Sequence, residues 1–261
     1  MSTDADVFTS RWSRLSAFIN AVQALRHEVT APPRFSLEEL HSDVVDVCLV
    51  HNASKLFLHL REKFESRVAA LMHPLDAEAA GAFETPFLDN VAAAWNSYCK
   101  EVSFIMMVFL HLDRSYVMEL PGSQSLWDVG IAIWGATLLQ HERIVARAVR
   151  CVCELIRKER EGEVVDRNVL AALTGMFQAV SLFSSAIVPP VLAATKEFYE
   201  VEGVKLIDSC DVPAYLLNIE TRLRREVRLL PRAPARLLKI PLTAPPPLSE
   251  TPTDRRGQCI L

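Results

Sequence analysis

Apolar residues recur at the spacing of an α-helix along most of the chain, and prolines separate several of these segments. The first segment, about Val7 to Arg26, is followed by Pro32-Pro33. The second has a clear start, because Ser36 with Glu39 three residues later is the sequence of a capping box. This second helix is predicted to run to about Val50.

Seven further helices are predicted, and no stretch reads convincingly as a strand. Pro74 is expected to end the third helix, and the loop from Asp76 to Thr85 is expected to be mobile. The predicted fold class is therefore all-α. The seven helices run from about Ser54 to Met72, Phe87 to Val117, Ser125 to Gln140, Glu142 to Gly162, Asp166 to Val180, Pro189 to Ile207 and Ala214 to Leu230.

The predicted helix from Leu126 to Gln140 is apolar on two sides, and a helix of this kind needs two partners. The second partner is either another part of the same domain or a protein outside this chain, and the pattern leaves both possibilities open. The helix from Ser36 to Val50 shares the property more weakly. In the helix from Leu126 to Gln140, one stripe consists of Leu126, Val129, Ile133 and Ala136, and the other of Trp127, Ile131, Trp134 and Leu138.

Composition narrows the class of protein. Half of the 261 residues are hydrophobic and 23% are charged, which is typical of a globular protein. The net charge of −4 argues against nucleic-acid binding through bulk positive charge. The first residues lack the features of a signal peptide, and the longest apolar stretch, Val102 to Leu110, is too short to cross a bilayer. We therefore expect a soluble, intracellular protein.

No motif for catalysis or for phosphate binding is visible. The eight glycines are too dispersed for a nucleotide-binding loop. Cys151 and Cys153 are the only close cysteine pair, and neither a second pair nor a nearby histidine completes a zinc set. We therefore expect no catalytic residue, no metal and no cofactor, and we expect the cysteines to be buried, reduced thiols.

The composition changes at Pro231. Residues 231–261 contain seven of the fifteen prolines, and basic residues outnumber acidic ones there. Such a segment does not form a packed core, so we expect it to be extended or disordered.

Several stretches, in order along the chain, resemble the N-terminal region of cullins. Residues 113–117 are similar to the cullin D-R-x-Y-V, and residues 159–167 resemble the more specific E-R-x-G-E-x-V-D-R. Residues 125–130 resemble most closely the cullin class whose adaptor is a triple β-propeller protein. The similarity covers about residues 7 to 230, and its other segments are Leu37 to Leu40, Phe198 to Gly203 and Val212 to Leu216.

The resemblance implies cullin-repeat helical bundles stacked as a stalk, in a non-catalytic scaffold of a ubiquitin ligase. It divides the chain into a first repeat over 1–140, an incomplete second repeat over 141–230 and the tail over 231–261. In this family the second and fifth helices of the first repeat bind the substrate adaptor, and they correspond here to 36–50 and 126–140. His41 stands where the family usually has tyrosine. The candidate adaptor contacts are Leu40, His41, Val44, Trp127, Ile131 and Trp134.

Cullins continue to a C-terminal domain that recruits a RING protein and accepts a ubiquitin-like modifier, and the present sequence contains no match to that domain. We therefore expect neither partner, and we expect no direct binding of nucleic acid or membrane. The second repeat is expected to leave an apolar face uncovered, which favours instability or self-association. The expected location is the cytoplasm, the nucleus or both. The alternative hypothesis is a helical tethering or interaction module outside the ubiquitin system, without affinity for a ligase adaptor.

Overall fold

The computed structural model describes residues 4–24, 35–81, 85–120, 122, 125–209 and 211–229. These residues form ten α-helices and no strand, which confirms the predicted all-α fold class. The tail over 231–261 lies outside the described residues. The helices are α1 (Asp4–Ala24), α2 (Leu37–Leu49), α3 (Ala53–Ala79), α4 (Thr85–Val108), α5 (Leu110–Ser115), α6 (Leu126–Gln140), α7 (Glu142–Glu161), α8 (Arg167–Ala179), α9 (Val188–Ser209) and α10 (Val212–Leu229), with a 3₁₀ turn at Val117–Glu119 and a π-helical turn at Phe183–Ile187.

Local capping signals set several helix ends where the sequence predicts them. The side chains of Ser36 and Asp166 each accept a hydrogen bond from a first-turn backbone N–H, at the start of α2 and α8. Ser125 and Asp128 form a complete capping box at the start of α6. Helix α7 ends at Gly162, whose φ of 92° lies in the left-handed region that favours glycine.

Helix α3 continues through Pro74, so the prediction that this proline ends the helix is wrong. Proline removes one N–H donor, and the carbonyl four residues earlier loses its helical partner. The apolar stripe nevertheless continues past the proline, since Met72 and Leu75 are both buried. Packing of that stripe outweighs the lost hydrogen bond. Residues 76–79 of the expected mobile loop are therefore helical.

The helix predicted from Phe87 to Val117 is divided in the structure at Phe109, where α4 ends and the short α5 follows. The Val108 carbonyl lies 3.1 Å from Nδ1 of His41 on α2, and a carbonyl oxygen accepts this hydrogen bond. Phe109 is fully buried at the break. A tertiary contact and a buried ring therefore mark this break, which we call the corner, and helical periodicity does not reveal it.

One hydrophobic core extends from Phe8 on α1 to Val191 on α9. Helix α6 packs against α3, α4 and α7 within it. Gly130 allows the close approach of α6 to α4, because a Cβ there would lie 3.2 Å from Cγ1 of Val102. Gly135 faces the end of α8, where a Cβ would lie 3.1 Å from Cβ of Val180. The core is continuous across residue 140, and the division of the chain into two repeats there stays a prediction.

Helices α9 and α10 expose large apolar side chains over much of their length. This observation agrees with the expectation of an uncovered apolar face on this part of the chain, whereas instability and self-association stay predictions. The exposed residues are Leu192, Val201, Val204, Ile207, Val212, Leu216, Leu217 and Leu223.

Candidate protein-docking surface

Four of the six predicted adaptor contacts are buried inside this chain. Leu40 and Val44 on α2, and Ile131 and Trp134 on α6, belong to the hydrophobic core. In the described conformation these side chains have little or no exposed surface, which argues against direct contact, and their assignment as adaptor contacts stays a prediction. For α6, the partner of its tryptophan stripe is the domain itself, one of the two possibilities that the pattern left open.

Trp134 shows how complete this burial is. Its ring centroid lies 5.3 Å from that of Trp95, edge to face, and 5.2 Å from that of Tyr98. The Tyr98 hydroxyl donates to the Gly130 carbonyl at 2.9 Å, which ties α4 to α6. Burial raises the pKa of Tyr98 well above its ordinary value, because it disfavours the phenolate.

The other two predicted contacts, His41 and Trp127, are half-buried and reach the surface. His41 is held by its hydrogen bond to the Val108 carbonyl at the end of α4. Trp127 lies in the first turn of α6, directly after the residue whose amide is capped from α5. His41 therefore lies at the break between α4 and α5, and Trp127 follows the residue of α6 that Asp113 of α5 binds.

Helix α2 is fixed to α1 by a buried carboxylate. Asp43 is fully buried, and one of its oxygens accepts from both Arg11 and Arg14 of α1. Arg11 also pairs with Asp46 at 2.9 Å. These acidic neighbours raise the pKa of Arg11, chiefly through the hydrogen bond to Asp43. The ion pairs hold α2 in one orientation against α1.

Helix α5 connects α2 to α6. On one side, α5 packs directly against α2. On the other, Oδ1 of the buried Asp113 accepts from the backbone N–H of Leu126 at 2.7 Å, the first residue of α6. The D-R-x-Y-V stretch thus contributes an aspartate that caps another helix.

Four exposed apolar side chains lie on the elements that meet at this corner. Leu49 ends α2 and is 68% exposed, and Met107 precedes the break in α4 and is 60% exposed. Leu110 begins α5, and Met118 lies in the 3₁₀ turn; both are exposed. We call these four residues the corner patch. Large apolar side chains on an open surface are typical anchors of protein interfaces.

The corner patch is not visible in the sequence, where residues 87–117 are predicted to form one uninterrupted helix. Met107 and Leu110 then read as part of a long apolar run without a distinct face. A faint signal was present, since Met107 and Leu110 are three residues apart and flank buried Val108 and Phe109. That spacing alone does not indicate whether Met107 and Leu110 or Val108 and Phe109 face the solvent.

The E-R-x-G-E-x-V-D-R stretch builds a second polar centre, around Arg160. This side chain is buried, and its Nε and Nη2 donate to the two oxygens of Glu226 on α10, at 2.8 and 3.0 Å. Nη2 also donates to Oγ1 of Thr195 on α9 at 2.7 Å. The Tyr199 hydroxyl donates to Glu226 at 2.6 Å. Arg160 therefore joins α7, α9 and α10.

Three of the described cysteines have thiols whose pKa is raised by burial. Burial raises the pKa of Cys99 to about 12, and it also raises the pKa of Cys48 and Cys153. All three thiols are therefore protonated near neutral pH. Over the described ranges, no three histidine, cysteine or acidic side chains converge as a set of metal ligands.

Two further findings concern surfaces. A groove of about 650 Å³ lies between α3 and α6, bordered by Phe57, Val129 and Ile133.

Taken singly, none of the helices in the described chain is long and apolar enough to cross a membrane. The bent pair Arg167–Ala179 and Phe183–Ile207 meets that test only when the two are joined.

Packed helices around one continuous core, without a strand in the described residues, are the architecture of a helical-repeat protein. The chain belongs to the cullin family, because the model of the cullin alpha solenoid domain matches residues 12–234.

Individual relatives agree with this assignment. The chain is similar to Cullin-4A of Homo sapiens, with 28% identity over 215 residues, covering 82% of this chain and 27% of that protein. It is similar to Cullin-3A of Arabidopsis thaliana, with 28% identity over 194 residues, covering 74% of this chain and 26% of that protein. Cullin-4 of Dictyostelium discoideum is 26% identical over 225 residues, covering 85% of this chain and 27% of that protein. The chain thus spans about a quarter of the length of these curated relatives.

Proposed function

We propose that this chain is a cullin-type scaffold segment of a ubiquitin ligase, which docks a substrate adaptor for ubiquitin-dependent protein degradation and carries no catalytic residue. Membership of the cullin family is the observation that carries the proposal. The corner patch supports it, because it provides exposed apolar anchors beside α2, one of the two helices assigned to adaptor binding.

We further propose that the adaptor is a triple β-propeller protein. The resemblance of residues 125–130 to that cullin class supports this choice, and two of the relatives described above are Cullin-4 proteins. The similarity to Cullin-3A keeps the adaptor class a proposal that needs direct measurement.

The proposed contact surface differs from the one predicted from sequence. His41 and Trp127 remain candidate contacts, since both are half-buried. The corner patch replaces the four buried residues as the source of apolar contact. Leu40, Val44, Ile131 and Trp134 then support the surface from within the core.

Calorimetry of the purified chain with the triple-propeller adaptor tests the proposal. We expect a micromolar or tighter Kd. Replacing Leu49 or Met107 by Glu is expected to weaken binding about tenfold or more, because a charge is introduced at an apolar anchor. Leu217→Glu on α10 is the matched control, since Leu217 has similar exposure (65%) and lies away from the corner.

Each outcome has a clear reading. A folded, helical sample without affinity for the adaptor would overturn the adaptor class and favour a helical interaction module outside the ubiquitin system. Binding that survives Leu49→Glu and Met107→Glu unchanged would leave adaptor docking in place and remove the corner patch from it.

A further inference from the structure

The corner patch owes its shape to a short segment with little secondary structure of its own. Helix α5 has six residues, and the 3₁₀ turn that follows has three. Short helices are marginal in isolation, so tertiary contacts must fix their orientation. Any change in the orientation of α5 moves Leu110 and Met118, which lie on either side of Asp113.

Asp113 is the residue of α5 that binds the next helix. Its own backbone N–H donates to the Phe109 carbonyl at 3.0 Å, which holds it in α5. Its carboxylate accepts from the Leu126 N–H, the first residue of α6. Burial of a carboxylate is costly without strong partners, and a helix N-terminus supplies a favourable one. Only 6% of Asp113 is exposed.

The bond to Leu126 is additional to the local cap of α6. Ser125 and Asp128 already form the capping box, with Oγ of Ser125 accepting from the Asp128 N–H at 3.2 Å. Helix α6 therefore has a cap of its own, and the bond from Asp113 supplies what a local cap does not, a fixed relation between α5 and α6.

We propose that Asp113 is a positioning residue for adaptor docking: it locks α5 onto the start of α6 and thereby holds Leu110, Met118 and Trp127 in one surface. This inference rests on the proposed function. Asp113 acts through the segment that it positions, because its carboxylate is buried and faces α6.

Three variants test the proposal. Asp113→Ala removes the acceptor, and we expect the Kd for the triple-propeller adaptor to rise about tenfold. Asp113→Asn keeps an Oδ1 acceptor, so its Kd is expected to stay within about threefold of the unmodified chain. Asp166→Ala is the matched control, since Asp166 caps α8 through the Asn168 N–H at 2.8 Å. Its Kd is expected to stay unchanged.

Hydrogen exchange of the backbone amides of Leu126 to Val129 gives a second readout on the same samples. Faster exchange is expected in Asp113→Ala, and exchange near that of the unmodified chain in Asp113→Asn. Should Asp113→Ala fail to fold, Asp113→Leu takes its place in both measurements, because it also removes the acceptor but keeps most of the side-chain volume.

The outcomes separate this inference from the proposed function. If the unmodified chain binds and Asp113→Ala binds equally well, the positioning role is overturned while the proposed function stands. If Asp166→Ala weakens binding as much as Asp113→Ala, general destabilisation explains the loss and the inference is overturned. If the unmodified chain does not bind, the proposed function and the docking role both fall, and the exchange readout still decides whether Asp113 holds α6.

Discussion

Two tryptophans of α6, seven residues apart in one predicted stripe, have different surroundings. Trp134 is fully buried between Trp95 and Tyr98, whereas Trp127 is half-buried in the first turn. Periodicity identifies residues on the same side of a helix, but it does not say how deep the neighbouring helix extends along that side. The two positions are therefore expected to respond differently to truncation.

Trp134→Ala is expected to lower the free energy of unfolding by about 3–5 kcal/mol, because it removes a large buried ring and leaves a cavity. Trp127→Ala is expected to cost less, about 1–2 kcal/mol, since part of this ring is in water. Urea unfolding followed by circular dichroism measures both. Equal losses for the two variants would show that Trp127 is as much a core residue as Trp134.

At the scale of elements, the sequence predicts helix ends well where the signal is local. The caps at Ser36 and Asp166 and the stop at Gly162 are confirmed because each depends on a few neighbouring residues. Pro74 and the corner at Phe109 are different. In both places the deciding contacts come from other helices, and a single stretch of sequence does not contain them.

Two glycines test these local rules, because replacing each by alanine is expected to change the stability in opposite directions. Gly162 ends α7 at a positive φ, and a Cβ there would touch nothing within 4 Å, so the cost of Gly162→Ala is in the backbone. We expect a loss of about 1 kcal/mol. Gly175 lies inside α8, and a Cβ there also has open space, so Gly175→Ala is expected to gain about 0.5–1 kcal/mol.

Thermal unfolding of the two variants beside the unmodified chain measures these effects. The melting temperature should fall for Gly162→Ala and rise for Gly175→Ala. A fall for both would mean that α8 does not tolerate a side chain at 175, and a rise for both would mean that the end of α7 does not need a left-handed residue.

At the scale of the whole molecule, the fold class could be predicted from sequence, and the candidate contact surface could be predicted only in part. Helical periodicity and the motif at 159–167 each depend on residues that are close together in the chain, so both can be recognised in the sequence. The contact surface depends on which apolar side chains stay uncovered after all helices have packed. Leu40 and Met107 are both apolar residues on helices, and only the assembled core buries the first and exposes the second.

Arg160 shows what a family signature contributes at this scale. It forms a bidentate ion pair with a carboxylate 66 residues away, on the last described helix. Its backbone carbonyl also accepts from Arg222 of α10 at 3.1 Å. The side chains of Arg160 and Arg222 thus both connect α10 to α7, and the Arg160 guanidinium lies over the rings of Phe198 and Tyr199 on α9.

Arg160→Met is therefore expected to cost about 3–5 kcal/mol, because the Glu226 carboxylate, whose side chain is only 11% exposed, loses its cation. Adding Glu226→Leu is expected to recover most of this loss, since an apolar pair removes the unpaired charge. Arg157→Met is the control on the same helix: Arg157 pairs with Glu154 and Glu161 at the exposed surface, and its loss is expected to be undetectable. Urea unfolding of the unmodified chain, Arg160→Met, Glu226→Leu and the double variant completes the double-mutant cycle. If the double variant is as unstable as Arg160→Met alone, the loss comes from the missing hydrogen bonds and ring contacts of the guanidinium, and buried charge is not what makes Arg160 necessary.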